Sequence, residues 1–147
     1  MAFYTTTQFT FARSLINAIL GALSTRPAAA LLATPSVALF SNNLVPGPDN
    51  ATTDFTACTF SGYAVTAVTL SGPVNLPGNV QGLLGNVTFL ATTASPFVPD
   101  TALGYILTNG TTGYYGGELM GTAAAFASPG DFLDLNLVLP VACTQLL

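Results

Sequence analysis

Six carboxylates are the conventional catalytic groups this chain offers, and four of them fall in pairs: Asp131 with Asp134, and Asp49 with Asp54. Paired carboxylates at such spacings suit a glycosidase-like acid/base couple or an oxygen-ligand calcium site. Their surroundings favour quieter roles. Ser128-Pro129-Gly130-Asp131 reads as a turn entering the last strand, Asp134 falls on the polar face of that strand, and Asp49 and Asp54 flank a loop. Asp100 and Glu118 are isolated and read as strand-end charges. The chain has no His and no Lys, so Ser-His-Asp and Cys-His pairs, imidazole metal sites, Schiff bases and the phosphate-binding P-loop lysine are all excluded. Cys58 and Cys143 stand 85 positions apart in no metal-ligand spacing. Two thiols alone make no structural zinc site; both are expected to be small buried residues in the reduced state, with a disulfide between them as the alternative, since sequence does not place their Cα atoms. The expectation is a non-enzymatic protein with no catalytic residue, cofactor or metal.

Other motifs are weaker. Asn50-Ala51-Thr52, Asn86-Val87-Thr88 and Asn109-Gly110-Thr111 match the glycosylation sequon, which has meaning only in an exported eukaryotic chain. Gly110 to Gly113 and Gly116-Gly117 lie among strands with no helix after them, so they read as turn and bulge residues rather than a nucleotide loop. Tyr105, Tyr114 and Tyr115 offer either a sugar- or partner-stacking patch or cross-strand core packing, and packing is the expected role.

The elements that would carry these residues divide the chain into two regions, 1–35 and 36–147. In the first, Thr10 reads as a helix N-cap, and Phe11, Leu15, Ile16, Ile19, Leu20 and Leu23 recur at helical spacing until Ser24-Thr25-Arg26-Pro27 ends the pattern. This predicts an amphipathic N-terminal helix preceded by an arm, Met1 to Thr10, that carries Phe3, Tyr4 and Phe9 with little charge. The helix and arm either cover their own domain or reach a neighbouring subunit. The sequence leans to the second, with Phe3, Tyr4, Phe9, Phe11, Leu15 and Ile19 as partner-binding residues.

From Pro35 onward, short runs rich in Val, Thr, Tyr and Phe alternate with Gly, Pro and Asn, the texture of an all-β domain. Strands are expected at Ser36 to Phe40, Tyr63 to Leu70 as a central strand, Val80 to Leu84, Asn86 to Ala91, and Phe132 to Val141 with Leu133, Leu135, Leu137 and Leu139 facing one way. Asn109-Gly110 predicts a two-residue type I′ hairpin turn. The fold class is therefore mainly β, an antiparallel β-sandwich or jelly-roll-like domain of seven to eight strands with the N-terminal helix and arm.

Composition limits the partners. Half of the 147 residues are hydrophobic and 5% are charged, against about 25% charged in an average soluble domain. A net charge of −4 with Arg13 and Arg26 as the basic residues argues against nucleic acid. Arg26, Pro27 and Pro35 interrupt the apolar stretch Leu15 to Phe40, so no membrane-spanning helix is expected, and Met1 to Thr7 lacks the basic start of a secretory signal, with the apolar stretch beginning too far in. A chain this poor in charge is expected to spend its life with much of its surface covered, as part of an assembly.

The strings Val37-Ala38-Leu39-Phe40-Ser41-Asn42-Asn43, Asp54-Phe55-Thr56 and Phe60-Ser61-Gly62-Tyr63-Ala64, followed by Leu103-Gly104-Tyr105-Ile106-Leu107-Thr108, Glu118 and Gly130-Asp131-Phe132-Leu133-Asp134-Leu135, resemble a group of small structural proteins of tailed bacteriophages. The resemblance covers residues 36 to 141 through short motifs and departs from the pattern at Tyr114 to Met120. It implies a virion protein, most plausibly a capsid decoration or cement protein. Such a protein binds the major capsid protein on the capsid exterior, often as a homotrimer, and brings no catalytic residues. The alternatives are a main shell subunit, a tail or fibre component, or a secreted or surface-exposed β-sandwich binding module.

Overall fold

Four leucines at alternate positions dictate the last strand. Leu133, Leu135, Leu137 and Leu139 each expose at most 1% of their surface, while Asp134 and Asn136 between them face outward, the period-two pattern of a half-buried strand. The computed structural model describes residues 1–5, 9–13, 35–76, 80–109 and 113–141. Its strands are β1 (Ala2–Thr5), β2 (Thr10–Phe11), β3 (Ser36–Phe40), β4 (Thr66–Ala67), β5 (Ser71–Leu76), β6 (Val80–Leu90), β7 (Asp100–Thr108), β8 (Tyr114–Phe126) and β9 (Phe132–Val141). They form a four-stranded sheet in the order β1-β9-β6-β5 and a five-stranded sheet in the order β2-β8-β7-β3-β4.

β6 and β9 pair antiparallel from Gln81–Val141 to Leu90–Phe132. β7 and β8 pair antiparallel from Asp100–Phe126 to Thr108–Tyr114, with register breaks between Ala102 and Gly104 and between Leu107 and Thr108. The inner faces of the two sheets share one core: Val37, Leu39, Tyr105, Leu107 and Phe126 from one meet Val87, Phe89 and the four leucines of β9 from the other. Phe60 stacks on Phe126 inside it, with ring centroids 3.8 Å apart and 8° between planes. Full burial of each such leucine contributes roughly 1.5–3 kcal/mol. Ile106 alternates with Tyr105 and Leu107, so it faces the other way, into a smaller cluster with Ala12, Phe40, Phe55 and Tyr114 that the loop after β3 folds over.

Several expectations are corrected. Thr10 does not cap a helix and Phe11 does not begin one: both belong to β2, antiparallel to Gly117 and Gly116 of β8. The Ala12 N–H continues the pairing to the Tyr115 carbonyl at 2.8 Å. Tertiary pairing with an open strand edge overrides the helical spacing here. The remainder of the helix, including Leu15, Ile16, Ile19, Leu20 and Leu23, lies outside the described residues. The arm before it is not loose, because β1 pairs parallel with β9, from Ala2–Leu133 to Thr5–Asn136. The sheets are thus not wholly antiparallel, and with β1 and β2 the described strands exceed the expected seven to eight.

Tyr63 to Leu70 is not a central strand. Only Thr66–Ala67 pairs, with β3, at the edge of the five-stranded sheet. The reason lies in Tyr63, whose N–H closes a turn on the Phe60 carbonyl at 2.9 Å and whose hydroxyl meets both the N–H of Leu39 at 3.0 Å and its carbonyl at 3.2 Å. A side chain fills the positions a paired backbone would take. The two runs either side of Gly85 form the single strand β6, and Gly85 is where Val68 and Leu70 press against it: a Cβ there would stand 2.8 Å from Leu70 Cδ2. The hairpin between β7 and β8 is present, but residues 109–113 connect it instead of a two-residue turn. Asn109 Oδ1 accepts from the Gly113 N–H at 2.8 Å, a side chain standing in for backbone.

Candidate functional site

Glu118 is the charged side chain buried among the described residues, 2% exposed. It is not a strand-end charge, as its isolation in sequence suggests, but lies within β8 directly opposite Tyr105 of β7. The Tyr105 hydroxyl donates to Glu118 Oε2 at 3.0 Å, and the Tyr4 hydroxyl, arriving from β1 in the other sheet, donates to Oε1 at 2.7 Å. The carboxylate therefore ties both sheets together where they close over the core. Leaving a buried polar group without its hydrogen-bond partner costs about 1–3 kcal/mol, so each of these bonds bears on the fold. A cleft of about 440 Å³ opens beside it, lined by Phe9, Thr10, Val45, Pro46, Glu118 and Leu119. The Phe9 ring packs there, 5.0 Å from Phe11 and 6.1 Å from Tyr105. One carboxylate anchored by two phenols among apolar walls supplies a structural clamp; no group of three metal-ligating side chains occurs among the described residues.

The second feature is the outer face of the four-stranded sheet. Because the leucines of β9 face inward, Phe132 must face outward, and its cross-strand partner is Leu90 of β6. On the other side, Phe3 of β1 sets its ring edge-to-face against Phe132 with centroids 6.0 Å apart. Phe3 is 66% exposed and Leu90 51%, so an apolar row crosses three strands at one end of the sheet. Further along the same face the polar side chains satisfy one another: the Thr88 hydroxyl donates to Asp134 Oδ1, and the Asn86 amide donates to Asn136 Oδ1 at 2.7 Å. The face is therefore mixed: an apolar row lies at one end, and beyond it are hydrogen-bonded polar pairs that include the charged Asp134.

The partner-binding residues expected from sequence are therefore divided. Phe3 is displayed, Tyr4 is turned inward onto Glu118, and Phe9 and Phe11 are half-buried against the core. Leu15 and Ile19 lie outside the described residues. Phe132 and Leu90 were missed, although the leucine alternation of β9 already sends Phe132 outward. Glu118 was missed too; the available signal was an acid held between Gly116-Gly117 and Leu119-Met120 in an otherwise apolar run.

The remaining acids serve turns and surface pairs. Asp131 Oδ2 accepts from the N–H groups of Ala127 and Ser128, both at 2.8 Å, and these backbone bonds hold its carboxyl below the usual carboxylate range. Asp54 is lowered likewise by the Ala51 N–H at 2.9 Å, with the Asn50 amide assisting. Asp100 opens β7, as expected of a strand-end charge, and takes the Thr59 N–H at 2.6 Å. Asp49 pairs with Arg13 in the open, at 2.9 Å. The Cys58 thiol is buried in the core and pushed up to about 12, by burial first and then by the nearby Asp100 charge. Cys143 lies outside the described residues. Tyr105 and Tyr114 are both buried in packing positions, and no helix among the described residues is long and apolar enough to cross a membrane. No family model, no curated protein and no solved structure matches the chain.

Proposed function

We propose that this chain is a non-enzymatic structural protein of a virion, a capsid decoration or cement protein that binds the major capsid protein on the capsid exterior as a homotrimer. The observation that carries the reading is the Phe3–Phe132–Leu90 row, displayed at one end of the outer sheet face beyond the Thr88–Asp134 and Asn86–Asn136 pairs. In a chain with eight charged residues, the apolar row is the part of this face that is covered at low desolvation cost, with Asp134 left at a hydrated rim. The resemblance of residues 36–141 to small phage structural proteins supplies the particular assembly. A sandwich with jelly-roll-like closure, in which the first strands pair with the last, belongs to the same reading. A protein of this kind stabilises a shell by mass action, because it binds the assembled state and not the dissociated one.

Light scattering on chain purified without denaturant is the test. The expected mass is that of three 15.0 kDa chains, and Phe3→Ser with Leu90→Ser is expected to abolish shell binding while leaving the far-ultraviolet circular dichroism unchanged. A stable monomer at micromolar concentration overturns the trimer, and retention of full shell binding by the double variant overturns the proposed surface. Copy number per particle separates a decoration protein from a shell subunit or a tail component.

A further inference from the structure

β1 and β2 occupy the same side of the molecule. β1 adds to the edge of β9 in one sheet and β2 to the edge of β8 in the other, so the start of the chain closes the side that its last two strands would otherwise leave open. Open strand edges are templates for another chain. The closure is chemically demanding: taking β1 away would remove the Tyr4 hydroxyl from the buried carboxylate of Glu118, and taking β2 away would lift Phe9 from Tyr105 and leave the edge at Gly116–Gly117 unpaired. A segment of this sequence must therefore fill the site, but the contacts do not require that it come from the same chain.

The connection leaves that choice open. In the five-stranded sheet β2 and β3 are separated by β8 and β7, a lateral distance of about 14 Å at the usual strand spacing. The chain between Arg13 and Pro35 is the 21 residues 14–34, whose contour length is up to about 70 Å. The connection is longer than the intramolecular step needs, so it does not by itself fix which copy supplies β1 and β2. Exchange of an identical element keeps every contact and changes only its source, which is why it is a low-cost route to oligomers.

We propose that β1 and β2 are an exchangeable pair of strands that docks on the β8 and β9 edges of a second copy of this chain, placing Tyr4 of one copy on Glu118 of the next. The proposal rests on the self-association in the reading above and supplies its mechanism, not its shell partner.

The register supplies the test, because Phe3 lies opposite Asp134. In full-length chain carrying Cys143→Ser, the double variant Phe3→Cys/Asp134→Cys is oxidised, or bridged with a short bismaleimide, and run without reductant. Cys58 is buried in the folded chain, and the parent carrying Cys143→Ser alone, treated the same way, reports any cross-link made through it. Exchange predicts covalent oligomers, and predicts a cross-linked heterodimer when chains carrying Phe3→Cys and Asp134→Cys separately are refolded together. A cross-linked monomer from the double variant, with no heterodimer from the mixture, overturns the exchange. Absence of any cross-link overturns the docking of β1 on β9 that the exchange requires. Light scattering on the same samples separates the two readings: an oligomer whose cross-link stays within one chain defeats only the exchange, and a monomer defeats the self-association as well.

Discussion

Tyr114 and Tyr105 are both buried tyrosines, and their hydroxyls have opposite fates. The Tyr114 ring stacks on Phe55 with centroids 5.5 Å apart, and its hydroxyl is the buried side-chain oxygen among the described residues that finds no hydrogen-bond partner. Burial raises its pKa to about 12, with the Asp54 charge adding to the effect. An orphaned hydroxyl in an apolar site costs about 1–3 kcal/mol, so Tyr114→Phe is expected to stabilise the protein by about 1 kcal/mol, read as a higher urea midpoint with an unchanged slope. Tyr105→Phe is expected to do the reverse, destabilising by about 1–3 kcal/mol, because it removes a donor from a buried carboxylate. At this scale the sequence was partly legible. The packing roles of Tyr105 and Tyr114 followed from their place in β-rich runs, whereas the role of Glu118 did not, because its two phenol partners stand 13 and 114 positions away.

Among the elements, β9 was readable to the residue and β4 was not. Leucine at every second position, with Asp134 and Asn136 between, admits one register in β9, since a slip of one position would turn every leucine outward. Leu137→Ala is accordingly expected to cost about 2–5 kcal/mol, measured by chemical denaturation. β4 failed as an inference because the sheet treats Tyr63 as a side-chain ligand of the β3 backbone, a relation that no local pattern encodes. β2 is the more delicate case. Gly116 lies at φ +147°, and a Cβ there would stand 2.2 Å from the Thr10 carbonyl oxygen and 2.5 Å from the Phe9 ring. Gly116→Ala is expected to displace β2 from β8 while leaving the inner core intact. Hydrogen exchange would show this as lost protection at Ala12, whose N–H bonds the Tyr115 carbonyl, with protection in β6 and β9 retained.

For the molecule as a whole, the scarcity of charge simplifies the response to pH. With no histidine, no imidazole titrates near neutrality. Asp54 and Asp131 have folded pKa values below their ordinary 3.8 because they accept backbone N–H bonds. A carboxylate lowered by folding contributes stability above its unfolded pKa and loses it as pH falls through the lowered folded value. The thermal midpoint is therefore expected to hold from neutrality to about pH 5 and to fall below about pH 4. Asp131→Asn should lower the midpoint at neutral pH and flatten the acid limb, and an acid limb as steep as that of the parent chain would exclude Asp131 from it. By itself the sequence determined the mainly β class, the strands β3 and β9 and the exclusion of imidazole and lysine chemistry, because composition and period-two alternation act locally and leave few alternatives. Only the tertiary structure decided that Thr10 and Phe11 join a sheet, that Glu118 is buried between two tyrosines, and that Phe3, Phe132 and Leu90 form one surface. Each of these depends on strand edges far apart in sequence finding one another, and pairing free energy across a hundred residues leaves no periodic trace in either partner.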